Sequence, residues 1–268
     1  MTGAEPGTAL LAPERRAKIV DLLSRNKSVL VKDLCEIFSV TGETVRKDLS
    51  ILEQEGKLIK TYGGAYIHQG VRNEIDVSIR EGLFTQVKES IGRVCAGLVS
   101  NGDTISLDES TTCLAIARHL TEFDELTVVT NSLKIAKLLS ENSSCRLHLV
   151  GGELDRKTQC FVGPAAEEAL GAYYVDKTFV SCRGLSREGD ATDGLTTNGS
   201  LRRLMLSRAK ERYLVADRTK LGLTAFYRIT GFDGLDAVIL DTLDDGWGEF
   251  FAQRGVRVIE ALPKEETK

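Results

Sequence analysis

The side chains of this sequence best equipped for chemistry gather where a short apolar run gives way to a helix-like stretch. The first such place is Asp108-Glu109-Ser110-Thr111-Thr112, between Thr104-Ile105-Ser106-Leu107 and the apolar positions Cys113, Leu114, Ile116 and Ala117. Free N–H groups at a helix N-terminus, reinforced by the helix dipole and three hydroxyls, would cradle a phosphate. Ser and Thr also cap helices that bind nothing, so this loop alone fits both uses. Thr130-Asn131-Ser132 ends the next apolar run, and Gly151-Gly152 ends the third, where a missing side chain lets the backbone approach a ligand closely. Arg183-Gly184 and Thr192-Asp193 follow the fourth run, and Asp217-Arg218-Thr219-Lys220 follows the fifth. Lys220 could pair with a phosphate or a sugar hydroxyl, and Arg202, near the start of a helix, is a second cation of that kind.

The elements that would position these groups alternate. An amphipathic helix carrying Val87, Ile91, Val94, Cys95 and Leu98 starts at Phe84 and ends at Asn101-Gly102. Apolar runs at 104–107, 126–130, 146–150, 177–181, 213–216, 237–240 and 257–259 are then separated by helical patterns. That alternation predicts an α/β fold, a mostly parallel open sheet with helices on both faces. Ligands of such sheets bind beyond the carboxyl ends of the strands, so Asp108, Ser110, Thr111, Thr112, Asn131, Ser132, Gly152, Asp193, Arg202 and Lys220 are expected at one edge.

A second group of residues points to a different chemistry. Pro13 opens a helix with Ile19, Leu22 and Leu23 inward, broken at Asn26-Lys27-Ser28. Lys32 to Phe38 places Leu34, Cys35, Ile37 and Phe38 largely on one side, and Ser39 to Gly42 makes a tight connection. A third helix, capped by Thr41 and stopped at Gly56, carries Val45, Leu49 and Leu52 inward. Two short helices joined in this way form a helix-turn-helix, whose second helix reads the major groove with its N-terminal residues. Thr41, Glu43, Thr44, Arg46 and Lys47 are therefore candidate DNA contacts. Residues 57–66 read as two short strands around Gly63-Gly64, a wing with Lys57 and Lys60 placed to meet phosphates. A three-helix packing unit with a solvated outer face is the competing interpretation.

The net charge of −4 over 268 residues, taken as an average, opposes a nucleic-acid partner. It divides unevenly: residues 13–62 hold 10 Lys and Arg against 8 Asp and Glu, or +2, which leaves −6 for the rest. No apolar run is long enough to span a membrane, and Met1 to Ala12 lacks the order of a signal peptide. The six cysteines, at 35, 95, 113, 145, 160 and 182, offer no metal-site spacing. No metal or cofactor is expected, and a reduced, cytoplasmic setting is the simple inference.

The order Val40-Thr41, Thr44-Val45-Arg46-Lys47-Asp48-Leu49, Leu52-Glu53, Glu55-Gly56, Leu58 and Gly63-Gly64-Ala65 resembles the N-terminal signature of the DeoR family of bacterial sugar-operon regulators. Asp108 with Ser110-Thr111-Thr112, residues 126–132, Gly151-Gly152, Val162-Gly163-Pro164, Val175-Asp176-Lys177 and Ala216-Asp217 with Lys220 and Gly222 look like that family's C-terminal sensor domain. The resemblance implies a winged helix-turn-helix at 13–66, a linker at 67–83 and a sensor at 84–260 similar in fold to ribose-5-phosphate isomerase. It also implies a phosphorylated-sugar effector bound through Asp108, Ser110, Thr111, Thr112, Asn131 and Lys220. Ser110 stands where Gly is usual, Thr41 where Ser is usual and Tyr62 where His is common. Residues 194–200 lack the acidic residues common before the next helix. The expectation is a DNA-binding transcriptional repressor of a carbohydrate-metabolism operon that works as a homodimer or homotetramer. Two readings compete with it. One is a sugar-phosphate isomerase using Asp108, Glu109, Asp193 or Asp217 as base, with a helical appendage. The other is a protein-binding adaptor.

Overall fold

Ile19 and Leu23 lie four residues apart, and Val45, Leu49 and Leu52 recur at three and four, the spacing that buries one stripe of a helix. Both stretches are helical in the structure, a computed structural model that describes residues 10–26, 28–55, 57–60, 63–66 and 84–262. The chain falls into two compact units, Met1–Thr85 and Gln86–Lys268. In the first, α1 (Ala12–Asn26), α2 (Val31–Phe38) and α3 (Gly42–Gln54) enclose a core that includes Ile19, Leu23, Leu34, Phe38, Val45, Leu49 and Leu52. Ser39 breaks α2 in the left-handed conformation, with φ 52°, and its N–H donates to the Cys35 carbonyl. A buried ion pair, Arg15 Nε to Asp48 Oδ2 at 2.5 Å, ties α1 to α3.

Two details depart from the sequence-based expectation. Residues 28–30 are not merely a break between helices but a strand, β1 (Ser28–Leu30), buried along its length. It pairs antiparallel with β3 (Gly64–Tyr66), whose other edge holds β2 (Ile59–Lys60), so the wing is three-stranded. Gly64 lies inside a strand opposite Leu30 rather than at the turn. Three residues are too few to display a period of two, so only the pairing reveals β1. Ile37 is 58% exposed instead of joining Leu34 and Phe38. Those two share a face four residues apart, and Ile37 is turned about 100° from Phe38 by the 3.6-residue period. Gly56, Tyr62 and the linker at 67–83 lie outside the described residues.

Helix α4 (Thr85–Ala96) starts at the boundary and lies in the second unit from Gln86 on, followed by β4 (Thr104–Leu107), α5 (Thr111–Arg118), β5 (Thr127–Thr130), α6 (Leu133–Asn142) and β6 (Arg146–Leu149). A hairpin of β7 (Glu153–Asp155) and β8 (Cys160–Val162) leads to α7 (Pro164–Gly171) and β9 (Val175–Val180). Then come β10 (Gly184–Leu185), β11 (Asp190–Asp193), α8 (Thr196–Ser207), β12 (Ala209–Ala216), β13 (Tyr227–Gly231), β14 (Ala237–Leu240), α9 (Asp245–Gln253) and β15 (Val258–Glu260). Seven strands form one sheet in the order β15-β14-β12-β9-β4-β5-β6, and every neighbouring pair is parallel.

Side-chain alternation explains why these strands read as continuous apolar runs. In β12 and β14, Tyr213, Val215, Ala237 and Ile239 face a core shared with α4, α5 and α6. Their neighbours Leu214, Ala216, Val238 and Leu240 face a second core shared with α7, α8 and α9. Both faces are covered along β12 and β14, so both parities there are apolar. β10, β11 and β13 form a separate antiparallel sheet, so Gly184, Thr192 and Asp193, expected in loops, lie in strands.

The strand order fixes where a ligand could sit. From β4 the chain runs to β5 and β6 on one side, then returns to β9 on the other and proceeds to β12, β14 and β15. The reversal makes the carboxyl ends of β4 and β9 the topological switch point, where crossovers leave on opposite faces and a crevice opens.

Candidate functional site

Asp108 stands at that switch point. Its Oδ1 accepts from the Ser110 N–H at 2.9 Å, and its Oδ2 accepts from the Ser181 N–H at 2.7 Å, just past β9, and from Arg202 Nε at 2.6 Å. Arg202, on α8 and only 3% exposed, also pairs through Nη2 with Glu109 Oε1 at 2.5 Å and through Nη1 with Asp193 Oδ2. Asn198 Nδ2 donates to the same Glu109 oxygen at 2.7 Å, and the Leu195 N–H donates to Asp193 Oδ1 at 2.8 Å. One guanidinium thus gathers three carboxylates from two separate segments. Burial disfavours its charge, but Glu109, Asp193 and Asp108 hold Arg202 protonated even more firmly than usual.

The carboxylates respond differently. Burial pushes Asp108 up, but Arg202 and the donors from Ser110, Cys113 and Ser181 outweigh it, leaving its carboxyl below the usual range. Glu109 is raised, by burial first and then by the charges of Asp108 and Asp193 acting against Arg202. Cys182, next after Ser181, is pushed up to about 12 by burial, while Lys220, Arg202, Asp193 and Asp217 all act on its thiol. Ser181, just past β9, and Asp193, at the end of β11, both belong to the cluster joined through Asp108 and Arg202.

The expected site residues take distinct places. Ser110 caps α5, its Oγ accepting from the Cys113 N–H at 3.0 Å, and Thr111 and Thr112 form the buried first turn. Asn131 is fully buried, and its Nδ2 donates to the Phe161 carbonyl at 3.2 Å. Ser132 caps α6. Gly152 serves packing, since a Cβ there would come within 2.7 Å of the Val162 carbonyl oxygen and 2.9 Å of Ala166 Cβ. Lys220 lies 3.7 Å from Asp217 Oδ2 and keeps about a quarter of its side chain exposed. Burial raises Asp217, yet Lys220, Thr219 and Lys88 more than offset it. Asp108, Asp193 and Arg202 therefore meet directly, and Lys220 and Asp217 form a pair of their own. Of the two expected cations, Arg202 is buried against three carboxylates and Lys220 is the partly exposed one. Asn198 and Lys88 escaped sequence reasoning because neither stands at a strand end. Glu109 was visible only as a possible base, and its pairing spans 93 residues.

The head presents the opposite arrangement. Thr41 caps α3, its Oγ1 accepting from the Thr44 N–H at 3.3 Å. Thr41, Glu43, Arg46 and Lys47 are exposed and Thr44 half-buried on the face turned away from Val45, Leu49 and Leu52. In the wing, Lys57 pairs with Glu55 at 2.7 Å, and Lys60 Nζ donates to Ser50 Oγ at 2.7 Å. A winged helix-turn-helix in one chain with a doubly covered parallel sheet defines a class of DNA-binding regulators.

Comparison with known proteins gives the particular family. A model of the DeoR-like helix-turn-helix domain matches residues 15–70, and one of the DeoR C-terminal sensor domain matches residues 84–242. The uncharacterized HTH-type transcriptional regulator YulB of Bacillus subtilis is 38% identical over 87% of this chain and 90% of its own length. The HTH-type transcriptional repressor GlcR of the same organism is 33% identical over 92% and 95%. The L-fucose operon activator of Escherichia coli is 32% identical over 85% and 94%. The chain belongs to the DeoR family of transcriptional regulators. Among solved structures, ribose 5-phosphate isomerase A of Methanocaldococcus jannaschii matches with TM-score 0.38 and 17% identity over 50% of this chain and 53% of that one. No helix among the described residues is long and apolar enough to cross a membrane.

Proposed function

We propose that this protein represses a carbohydrate-metabolism operon by binding its operator through the winged head, and that a phosphorylated sugar at the switch point of the sheet controls the binding. The observation that carries this reading is the pairing, in one chain, of an exposed polar recognition face on α3 with a buried, charge-lined site at a switch point. Thr41, Glu43, Thr44, Arg46 and Lys47 meet base edges, and Lys57 and Lys60 meet phosphates. In the sensor, the α5 N-terminus with Ser110, Thr111 and Thr112 and the Lys220 ammonium take the effector phosphate. Asn131 faces its hydroxyls, Asp108 and Asp193 frame the site with Arg202 fixing their carboxylates, and Ser132 and Gly152 hold the surrounding loops. Names of relatives that include a repressor and an L-fucose operon activator support a sugar-linked promoter. A homodimer or homotetramer in the cytoplasm supplies the paired recognition helices that half-sites one helical turn apart require.

The role we propose is binding rather than turnover. Asp108 already accepts three donors and lies below the usual carboxylate range, which makes it a weak base for aldose–ketose proton transfer. The test is an anisotropy titration of the full chain on DNA from upstream of its own gene, with and without a panel of sugar phosphates. Tight, salt-dependent binding released by one sugar phosphate is expected, and Lys220→Ala should bind DNA normally but lose the release. No binding to any upstream fragment at low salt overturns the reading.

A further inference from the structure

The oxygens around Arg202 are unequally served. Both oxygens of Asp108 and both of Asp193 accept hydrogen bonds. Glu109 Oε1 accepts two, from Asn198 and Arg202, while Glu109 Oε2 is buried and meets no donor among the described residues. A second acceptor, Asn131 Oδ1, is in the same condition. Both residues closely follow carboxyl ends of adjacent strands, β4 and β5. Cys160 bridges to Ser132, the neighbour of Asn131, and Phe161, next after it, exchanges hydrogen bonds with Asn131 itself; burial is the main cause that raises the Cys160 thiol, and the charge of Glu109 raises it further. A buried acceptor without a donor costs free energy comparable to a lost hydrogen bond, so native structures seldom keep two at one sheet edge without a use for them.

We propose that Glu109 is the specificity-determining residue of the sensor. Its Oε2 accepts a hydrogen bond from a hydroxyl or ammonium on the carbon skeleton of a phosphorylated sugar, with Asn131 Oδ1 taking a second donor of the same ligand. The inference rests on the effector site argued above and adds the feature of the ligand that this chain selects. The position is well prepared for it. Arg202 and Asn198 hold the Oε1 side of the carboxyl, so the free oxygen is fixed in direction before a ligand arrives. Burial and the negative charges of Asp108 and Asp193 disfavour the bare carboxylate, and a donor from the ligand relieves that penalty. A ligand lacking that donor leaves the oxygen unpaired, which is how polar sites reject close analogues.

The test uses calorimetric titration of the full chain with inorganic phosphate, ribose 5-phosphate, glucose 6-phosphate, fructose 1-phosphate and glucosamine 6-phosphate. The tightest of these is then compared with its complete set of analogues lacking one hydroxyl or the amino group, on the unaltered chain and on Glu109→Gln. On the unaltered chain, at least one analogue should lose tenfold or more in affinity. In Glu109→Gln that loss should shrink to less than threefold, with inorganic phosphate bound equally by both proteins. The proposal is overturned if every analogue binds the unaltered chain within threefold of the parent sugar, a comparison that stands even where Glu109→Gln fails to fold. A tenfold loss that persists undiminished in Glu109→Gln removes Glu109 alone and leaves the effector site intact. Failure of every sugar phosphate to bind, with operator binding retained, removes the effector site and this inference with it.

Discussion

The recognition face of α3 and the cluster around Arg202 each use arginine, but in opposite ways. Arg46 and Lys47 stand exposed on a helix whose other side is core, whereas Arg202 is buried and paired with three carboxylates. Exposed cations cost little to fold and contribute when a polyanion arrives and releases its counterions. Buried ones carry a desolvation cost that only good geometry offsets, and the result is a rigid frame for a small ligand. The comparison teaches that Arg46 and Lys47 keep their charge at the surface, where a partner can reach it, while the charge of Arg202 is already committed to Asp108, Glu109 and Asp193.

The largest effect expected from breaking this contrast is on folding. Arg202→Ala should destabilise the sensor by about 3–5 kcal/mol, because three buried carboxylates lose their common counter-charge; urea unfolding measures it, and a loss below about 1 kcal/mol would mean that the cluster relaxes into water. Arg46→Ala, by contrast, should leave the unfolding midpoint unchanged and weaken operator binding by about 1–3 kcal/mol if Arg46 contacts a base edge. Unchanged affinity removes it from the interface.

A pH series sharpens the comparison inside the sensor. Asp108 sits below the ordinary aspartate value of 3.8, so its stabilising contribution is present above that value and fades as pH falls through the lower folded one. Glu109 is raised above 4.5, so the folded state favours its protonated form, and that advantage is lost as pH rises through the folded value. Glu109→Gln should therefore gain stability relative to the parent as pH is raised over the range above about 4.5. A constant difference across that range would show that Glu109 does not titrate there. Smaller still are two changes in the head. Thr41→Ala should cost about 1 kcal/mol of head stability through loss of the α3 cap. Lys57→Ala should lower the salt dependence of operator binding by about one unit of slope if Lys57 meets a phosphate.

Local features are legible in the order of residues alone. Periodicity locates the seven strands of the parallel sheet, and Thr41, Ser110 and Ser132 cap the helices that follow them. Those signals are short-range: a cap acts over three residues, and a period shows within a dozen. Where the range grows, legibility fails. The strand at residues 28–30 needs its partner at 64–66, and the small antiparallel sheet needs β13 beside β11.

The sequence by itself therefore determined the helical register of α3 and the positions of the seven parallel strands, because each follows from neighbours along the chain. Only the tertiary structure decided that Arg202, expected to meet a ligand, would instead bind Asp108 and Glu109 across 94 and 93 residues. Only it left Glu109 Oε2 without a donor among the described residues. The physical reason is that strand order, not sequence separation, selects which buried charges become neighbours, and in the low dielectric of the interior each must find its partner there.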